Sequence, residues 1–255
     1  MLASINSKDK NILSIRKEIN MSIYAISDLH LSFSTNKPMN IFGNNWNDYE
    51  KRIEDSWKRL VKEEDTILLP GDFSWGMTFE EAKADFEYLN KLPGRKIMLK
   101  GNHDYWWGTL NKINKFLEDN NFKNINMLYN NSYLVENRII CGTRGWTIID
   151  NDEENEKIYK REVLRLEMSL KDGINKYGKE KEIIVCMHYP PTNEKLIEKS
   201  EFIEIMKKYN VKKCIYGHLH GEAQKDAIEG NINGIQIKLV SCDYTQFKLV
   251  IVEKC

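Results

Sequence analysis

The chain has 255 residues, with 38 basic and 38 acidic side chains, a formal net charge of +0 and 41% hydrophobic residues, which suits one large domain or two small ones. Balanced charge gives no global positive field, so binding of nucleic acid or an anionic membrane is not expected, and an anionic substrate requires a local device such as bound cations. No apolar run approaches the roughly 18 residues of a membrane span, and Ser14 and Arg16 interrupt Ile12, Leu13 and Ile15 where a signal peptide would keep an apolar core.

Residues 1–20 are polar and share no pattern with the rest of the chain, so we expect either that Met21 is the natural start or that these residues form a disordered or loosely docked tail. From Met21 short β-rich runs alternate with amphipathic runs, the signature of an α/β domain over residues 21–255. Strands are expected at Ile23 to Ser27, Thr66 to Leu69, Lys96 to Leu99, Ile183 to Met187 and Lys213 to Tyr216, with a hairpin from Tyr133 to Cys141 turning at Glu136-Asn137. A helix over Tyr49 to Val61 lines up Tyr49, Ile53, Trp57, Leu60 and Val61, and a second, Thr78 to Leu89, opens on the Thr78-x-x-Glu81 capping pattern. A longer helix repeats Tyr159, Val163, Leu166, Leu170, Ile174 and Tyr177 before Gly178 stops it, and the acidic run Asp152 to Glu156 suits its N-terminal dipole. Ile232 to Val252 is strand-rich with a break at Gly234, which suggests a second sheet. Five cysteines, with no CxxC pair and three of them inside strand-like runs, read as reduced thiols of a cytoplasmic protein.

The chemistry lies just past the strands. Their C-terminal ends carry Ser27-Asp28-Leu29-His30, Gly71-Asp72, Gly101-Asn102-His103-Asp104, His188 and Gly217-His218-Leu219-His220, and all five histidines of the chain fall in these motifs. At that edge of an open α/β sheet, loops converge on one crevice. Asp-x-His and His-x-His put two ligands on one side of an extended turn. The mixture of carboxylate, imidazole and carboxamide suits Mn²⁺, Fe or Zn²⁺ better than an all-oxygen calcium site or a cysteine-rich zinc. A carboxylate such as Asp72 can bridge two cations about 3.5–4 Å apart, the spacing of dinuclear hydrolases.

In order and type, these blocks resemble the calcineurin-like metallophosphoesterase superfamily, over Asp28 to His220. The resemblance implies a four-layer α-β-β-α sandwich of two mixed β-sheets and two divalent metal ions at their C-terminal edge. Carried over by position, one metal takes Asp28, His30, Asp72 and His220, and the other takes Asp72, Asn102, His188 and His218. Attack by a metal-bound hydroxide, whose water has its pKa lowered from 15.7 toward ~7, then leaves His103 to protonate the leaving alkoxide or to stabilise the transition state as a cation. The plainer alternative has His103 packing beside Asn102. Asp104 either orients His103 or caps the helix from Thr109 onward.

The block Gly71-Asp72-Phe73-Ser74-Trp75-Gly76 lacks the second Asp and the Arg of protein serine/threonine phosphatases, and Trp75 stands where purple acid phosphatases place a metal-ligating Tyr. Ser27 to Leu31 is shared with lipid-A-pathway pyrophosphatases, which carry Arg in place of His103, so the bacterial phosphodiesterases and nucleases are the nearer branch. Trp75, Tyr105, Trp106, Trp107 and Tyr189 flank the motifs, either as stacking walls for a planar substrate group or as packing. Arg144, after the strand ending at Cys141, is either a bidentate phosphate clamp or a loop arginine. We therefore expect a phosphoesterase acting on a small phosphomono- or phosphodiester. A nuclease would need a basic strip, and an inert metal-binding scaffold would be expected to lack a ligand or the acid; neither feature is seen.

Overall fold

The computed structural model describes residues 21–147, 152–194, 197 and 200–254. The expected tail, residues 1–20, lies outside the described residues. Among the described residues eleven strands fall in two sheets. The first joins β1 (Ser22–Ala25), β2 (Thr66–Leu69), β3 (Arg95–Met98), β4 (Ile125–Met127) and β11 (Val250–Lys254) in the order β11-β1-β2-β3-β4. The second joins β5 (Tyr133–Val135), β6 (Arg138–Thr143), β7 (Glu182–Met187), β8 (Lys213–Tyr216), β9 (Gly230–Ile232) and β10 (Ile235–Leu239) in the order β5-β6-β7-β8-β10-β9. Each sheet is mixed: β1 to β4 run parallel with β11 antiparallel to β1, and β6, β7, β8 and β10 run parallel between antiparallel edge strands β5 and β9.

Alternation along the strands builds the layers, because successive side chains point to opposite faces. Ile23, Ala25, Leu68 and Ile97 of the first sheet meet Ile140, Ile184, Cys186 and Ile215 of the second in one buried cluster, so the two sheets pack face to face. Tyr24, Ile67, Leu69 and Met98 point the other way, onto α1 (Tyr49–Leu60), α2 (Phe79–Lys91) and α3 (Leu110–Asp119). Ile183, Val185 and Met187 likewise meet α4 (Glu153–Tyr177) and α5 (Glu201–Lys208). The result is the four-layer sandwich that the motifs implied. Strands buried on both faces explain the continuous apolar runs read from the sequence.

Local signals account for the element ends. Thr78 Oγ1 accepts the Glu81 N–H at 3.3 Å, while Glu81 returns its carboxylate to the Met77 N–H at 2.7 Å. Asp152 accepts the N–H groups of Glu154 and Asn155, both at 3.0 Å, as the cap of α4. The hairpin turns at Glu136-Asn137, with Val135 opposite Arg138. The first strand is shorter than expected, ending at Ala25; beyond it Ser27 forms an isolated bridge with Ser241. The C-terminal segment divides between the sheets, with β9 and β10 extending the second and β11 crossing to β1 of the first. Cys141, Cys186, Cys214 and Cys242 are buried free thiols. No helix among the described residues is long and apolar enough to cross a membrane.

Candidate metal centre

The motifs occupy the turns after β1, β2, β3, β7 and β8, and several of these turns are made by non-glycine residues in the left-handed region. Asp28 (φ 60°), His30 (φ 45°), Asp72 (φ 50°) and His218 (φ 75°) all sit there, a conformation costly for L side chains and concentrated at functional sites. Close approach fixes the glycines between them. A methyl group on Gly101 would overlap Asp72, one on Gly217 would overlap Ser27 and Asp28, and one on Gly71 would lie 2.7 Å from the Gly101 backbone and 2.8 Å from His188 Nδ1. The loops of the two sheets therefore interlock without space for a side chain at these points.

Asp104 is the hub of this packing. Its buried carboxylate accepts the N–H groups of Asp72 (3.0 Å), Phe73 (2.9 Å), Ser74 (3.3 Å) and Gly101 (2.7 Å) and the Trp106 indole N–H (3.1 Å). This corrects both roles considered for it: Asp104 holds the turn after β2 rather than the His103 ring, and Thr109 caps α3 by accepting the Lys112 N–H. A short polar side chain followed by a helix suggests a cap by pattern alone, whereas the turn it serves lies some thirty residues earlier in the chain and is visible only in the fold.

The seven proposed ligands converge. Asp72 Oδ2 lies 3.8 Å from His30 Nε2 and 3.5 Å from His188 Nε2, between the two ligand sets. His188 Nδ1 faces the Pro70 carbonyl at 2.9 Å, so it carries the ring proton and leaves Nε2 as a bare lone pair. That lone pair is 2.6 Å from Asn102 Oδ1, which is itself 2.9 Å from His218 Nδ1. On the other side His220 gives its Nδ1 proton to Asp243 Oδ1 at 2.8 Å and turns Nε2 toward Asp28 Oδ1 at 3.3 Å. His220 Nε2 and His30 Nδ1 are buried with no hydrogen-bond partner. Two acceptors face to face, as His188 Nε2 and Asn102 Oδ1 are at 2.6 Å, are unfavourable in a protein interior and favourable around a cation. Ligand atoms of Asp28, His30 and His220, and of Asp28, Asp72 and His188, lie within 4.8 Å of one another. The donor set thus fits divalent ions.

Electrostatics agree with this geometry. Burial brings His188 down to about 3 and His218 to about 4, so both rings are neutral and ready to ligate at pH 7. Burial also raises the Asp72 carboxyl well above its usual range, helped by Asp28 and Asp104, as expected where carboxylates crowd without a cation. Asp28 goes the other way: burial would raise it, but His220, His188 and His30 pull it far below the usual range. His220 rises to about 10 against the pull of burial, because Asp28 and Asp243 hold its proton.

Two residues missed in the sequence complete the support. Asp243 receives, besides His220, the Gly221 N–H and the Gln224 side-chain amide, and Ser241 donates to Asp28 Oδ2 at 3.0 Å. Both lie in the segment between β10 and β11, where no motif marks them. Carboxylate partners of ligating histidines fix tautomer and ring orientation.

His103 is half-buried. Its N–H donates to Asp72 Oδ1 at 2.8 Å and its ring lies 5.7 Å from that of His30 and 4.6 Å from Trp75, with the Tyr105 hydroxyl 3.4 Å from Nδ1. Burial lowers its pKa.

The aromatic residues separate into packing and wall. Trp75, partly exposed, stacks on His30 at 4.8 Å, donates its indole N–H to Met39 Sδ and has Lys37 above its ring at 4.9 Å. Trp106 is buried among Phe73, Phe79 and Phe86. Tyr189 instead lies 4.1 Å from His218 and 4.9 Å from Trp146, beside a cavity of about 170 Å³ lined by Trp146, Tyr159, Pro190, Pro191 and His218. Arg144 is no free loop arginine: it lies 4.7 Å from the Trp146 ring and 3.7 Å from the Glu162 carboxylate.

Comparison with known proteins matches this geometry. The sequence model of the calcineurin-like phosphoesterase family matches residues 21–222, and the chain belongs to that family. A protein of Coxiella burnetii named as a probable cyclic nucleotide phosphodiesterase is 26% identical over 222 residues, covering 79% of this chain and 77% of the relative. The gene 66 protein of Mycobacterium phage L5 is 28% identical over 78 residues, 31% of this chain and 37% of that one. Among solved structures, TT1561 of Thermus thermophilus shares the fold with a TM-score of 0.56 at 12% identity, covering 91% of this chain and 98% of that one. The protein is a hydrolase of phosphoester bonds that depends on divalent metal ions.

Proposed function

We propose that the chain, as one domain over residues 21–255, hydrolyses a P–O bond of a small phosphoester, with a phosphodiester carrying a planar group preferred, at a centre of two divalent ions. Asp28, His30, Asp72 and His220 would hold one ion, and Asp72, Asn102, His188 and His218 the other. The mixed nitrogen and oxygen donors favour Mn²⁺, Fe or Zn²⁺. The observation that carries this reading is the meeting of two acceptors, His188 Nε2 and Asn102 Oδ1, at 2.6 Å beside the Asp72 carboxylate. When bound, divalent ions at such a site supply Lewis acidity toward a phosphoryl oxygen and lower the pKa of a water molecule.

The chain's own groups do the rest. Asp104 fixes the turn that carries Asp72, Asp243 and the Pro70 carbonyl set the tautomers of His220 and His188, and His103 stands beside the centre, where a proton on its ring would be within reach of a leaving oxygen. Its delivery to the leaving oxygen matches the general-acid role. The aromatic cavity beside His218 offers the planar group a place, and the name of the Coxiella relative makes cyclic nucleotides the first natural substrates to try. Four buried free thiols support residence in a reducing cytoplasm. Metal analysis of the purified protein, followed by a panel of chromogenic mono- and diesters, tests the reading: about two ions per chain and faster hydrolysis of aryl diesters are expected, and a metal-free protein or one inactive on every ester after metal loading refutes it.

A further inference from the structure

A second polar cavity, of about 290 Å³, opens on the β3 and β6 side of the metal centre and is lined by Lys100, Trp107, Arg144, Arg161, Glu162 and Arg165 among others. Four cations face one carboxylate there. Glu162 is buried and already satisfied: its Oε1 takes Arg165 at 2.7 Å and its Oε2 takes the Thr143 hydroxyl at 2.7 Å. Arg144 and Arg161 stand off the same carboxylate at 3.7 Å each, beyond hydrogen-bond reach. They are surplus to its neutralisation. Arg144 Nε is buried without a hydrogen-bond partner.

The guanidinium planes are held from behind. Arg144 lies over Trp146 at 4.7 Å, and Arg165 lies over Tyr129 at 5.2 Å while donating to that hydroxyl at 3.1 Å. Pre-aimed forks of this kind match phosphate oxygens and lose little freedom on binding. The cavity also adjoins the chemistry. The Arg144 carbonyl accepts the N–H groups of His188 and Tyr189 at 3.1 and 2.9 Å, and Lys100 directly precedes the Gly101-Asn102 turn.

We propose that this cavity binds a second phosphate group of the substrate, so that the molecule hydrolysed carries one phosphate at the metal centre and another clasped by Arg144, Arg161, Arg165 and Lys100. The inference rests on the phosphoesterase reading above and adds the substrate's second charged group. A dianion is favoured because four cations against Glu162 leave three positive charges unanswered.

Two nitrophenyl phosphodiesters decide the matter, one whose second arm ends in a neutral ethyl group and one whose arm ends in a phosphate monoester. The metal-loaded wild type should show a KM at least tenfold lower for the second. Lys100→Gln, which leaves Glu162 its partners, and Arg161→Ala should each raise that KM severalfold and their combination tenfold or more, with kcat within threefold and the ethyl ester unaffected. In parallel, inorganic phosphate titrated calorimetrically into the metal-loaded protein should fill two sites, one of which the double variant loses. Equal KM values for the two esters, or a single phosphate site indifferent to the double variant, overturn the proposal. Two phosphate sites with both esters responding alike mark a free-phosphate effector site and overturn it as well. Absence of turnover on either ester, with both phosphate sites intact, removes the phosphoesterase reading and leaves the anion site standing.

Discussion

Around Asp72 the fold gathers acceptors, while around Glu162 it gathers donors, and the two clusters are held together in different ways. At the metal centre the lone pairs of His188 Nε2 and Asn102 Oδ1 meet with no proton between them, on turns that place Asp28, His30, Asp72 and His218 at positive φ. In the cavity the arginines are steadied by a carboxylate, a phenol and two aromatic faces already present in the chain. An acceptor cluster needs something added before it is stable, whereas the donor cluster carries its own anchor. Removing metal should therefore disturb the first and leave the second unchanged.

The sharpest way to break this contrast is Asp72→Ala, which removes the carboxylate lying between the two ligand sets. We expect metal content to fall from two ions to one or none and turnover to be lost, as read by elemental analysis and ester hydrolysis. Full metal content with full turnover would show that the acceptor cluster does not depend on Asp72.

Next in size is His103→Ala, which should keep both ions yet lose turnover by roughly 10²–10⁴-fold, the usual worth of a positioned general acid. The loss should shrink for nitrophenyl esters, whose leaving groups need little protonation. A uniform loss across leaving groups would give His103 an electrostatic role instead.

Asp243→Asn tests whether the metal centre leans on its outer support. Losing the carboxylate on His220 Nδ1 should weaken metal affinity by about 10–100-fold, measured by competition with a chelator. An unchanged affinity would make Asp243 a partner of Gln224 and Gly221 only.

The smallest effect concerns pH. His220 is raised from 6.5 to about 10 in the folded metal-free chain, so the stability it contributes is full below pH 6.5 and drains away as pH rises through about 10. Metal-free wild type should accordingly lose melting temperature between about pH 7 and 9, and His220→Gln should flatten that slope. With metal present the trend should reverse, because the ion displaces the same proton and binds better as pH rises. A metal-free melting temperature that climbs over that range would contradict the Asp28-His220-Asp243 arrangement.

How much of this was legible in the sequence depends on how local each signal is. Strand ends and ligands share a short window, so Asp28-x-His30 and His218-x-His220 could be read beside their strands, and the Tyr159 to Tyr177 stripe announced α4 directly. The strand-rich segment Ile232 to Val252 hinted at a second sheet, but the face-to-face sandwich itself came through the motifs. The strand β4, only Ile125–Met127, and α5, a short Glu201–Lys208, carry too little periodicity to be seen. Asp104, Asp243 and the basic cavity escaped for another reason. Their partners lie many residues away, on Phe73, His220 and across β3, β6 and α4, and no linear pattern encodes such meetings.

The crossing of the chain from β10 in one sheet to β11 in the other has a consequence for the order of events in the cell. Ser241 and Asp243 sit in that crossing and buttress Asp28 and His220, and the Cys242 N–H closes onto the Ser27 carbonyl at 2.9 Å. Asp28 therefore leaves the ribosome more than two hundred residues before the groups that hold it in place. A nascent chain that has made Asp28 and His30 still lacks the groups that buttress Asp28 and His220, so the ligand cluster reaches its full geometry only once Ser241 and Asp243 have been made.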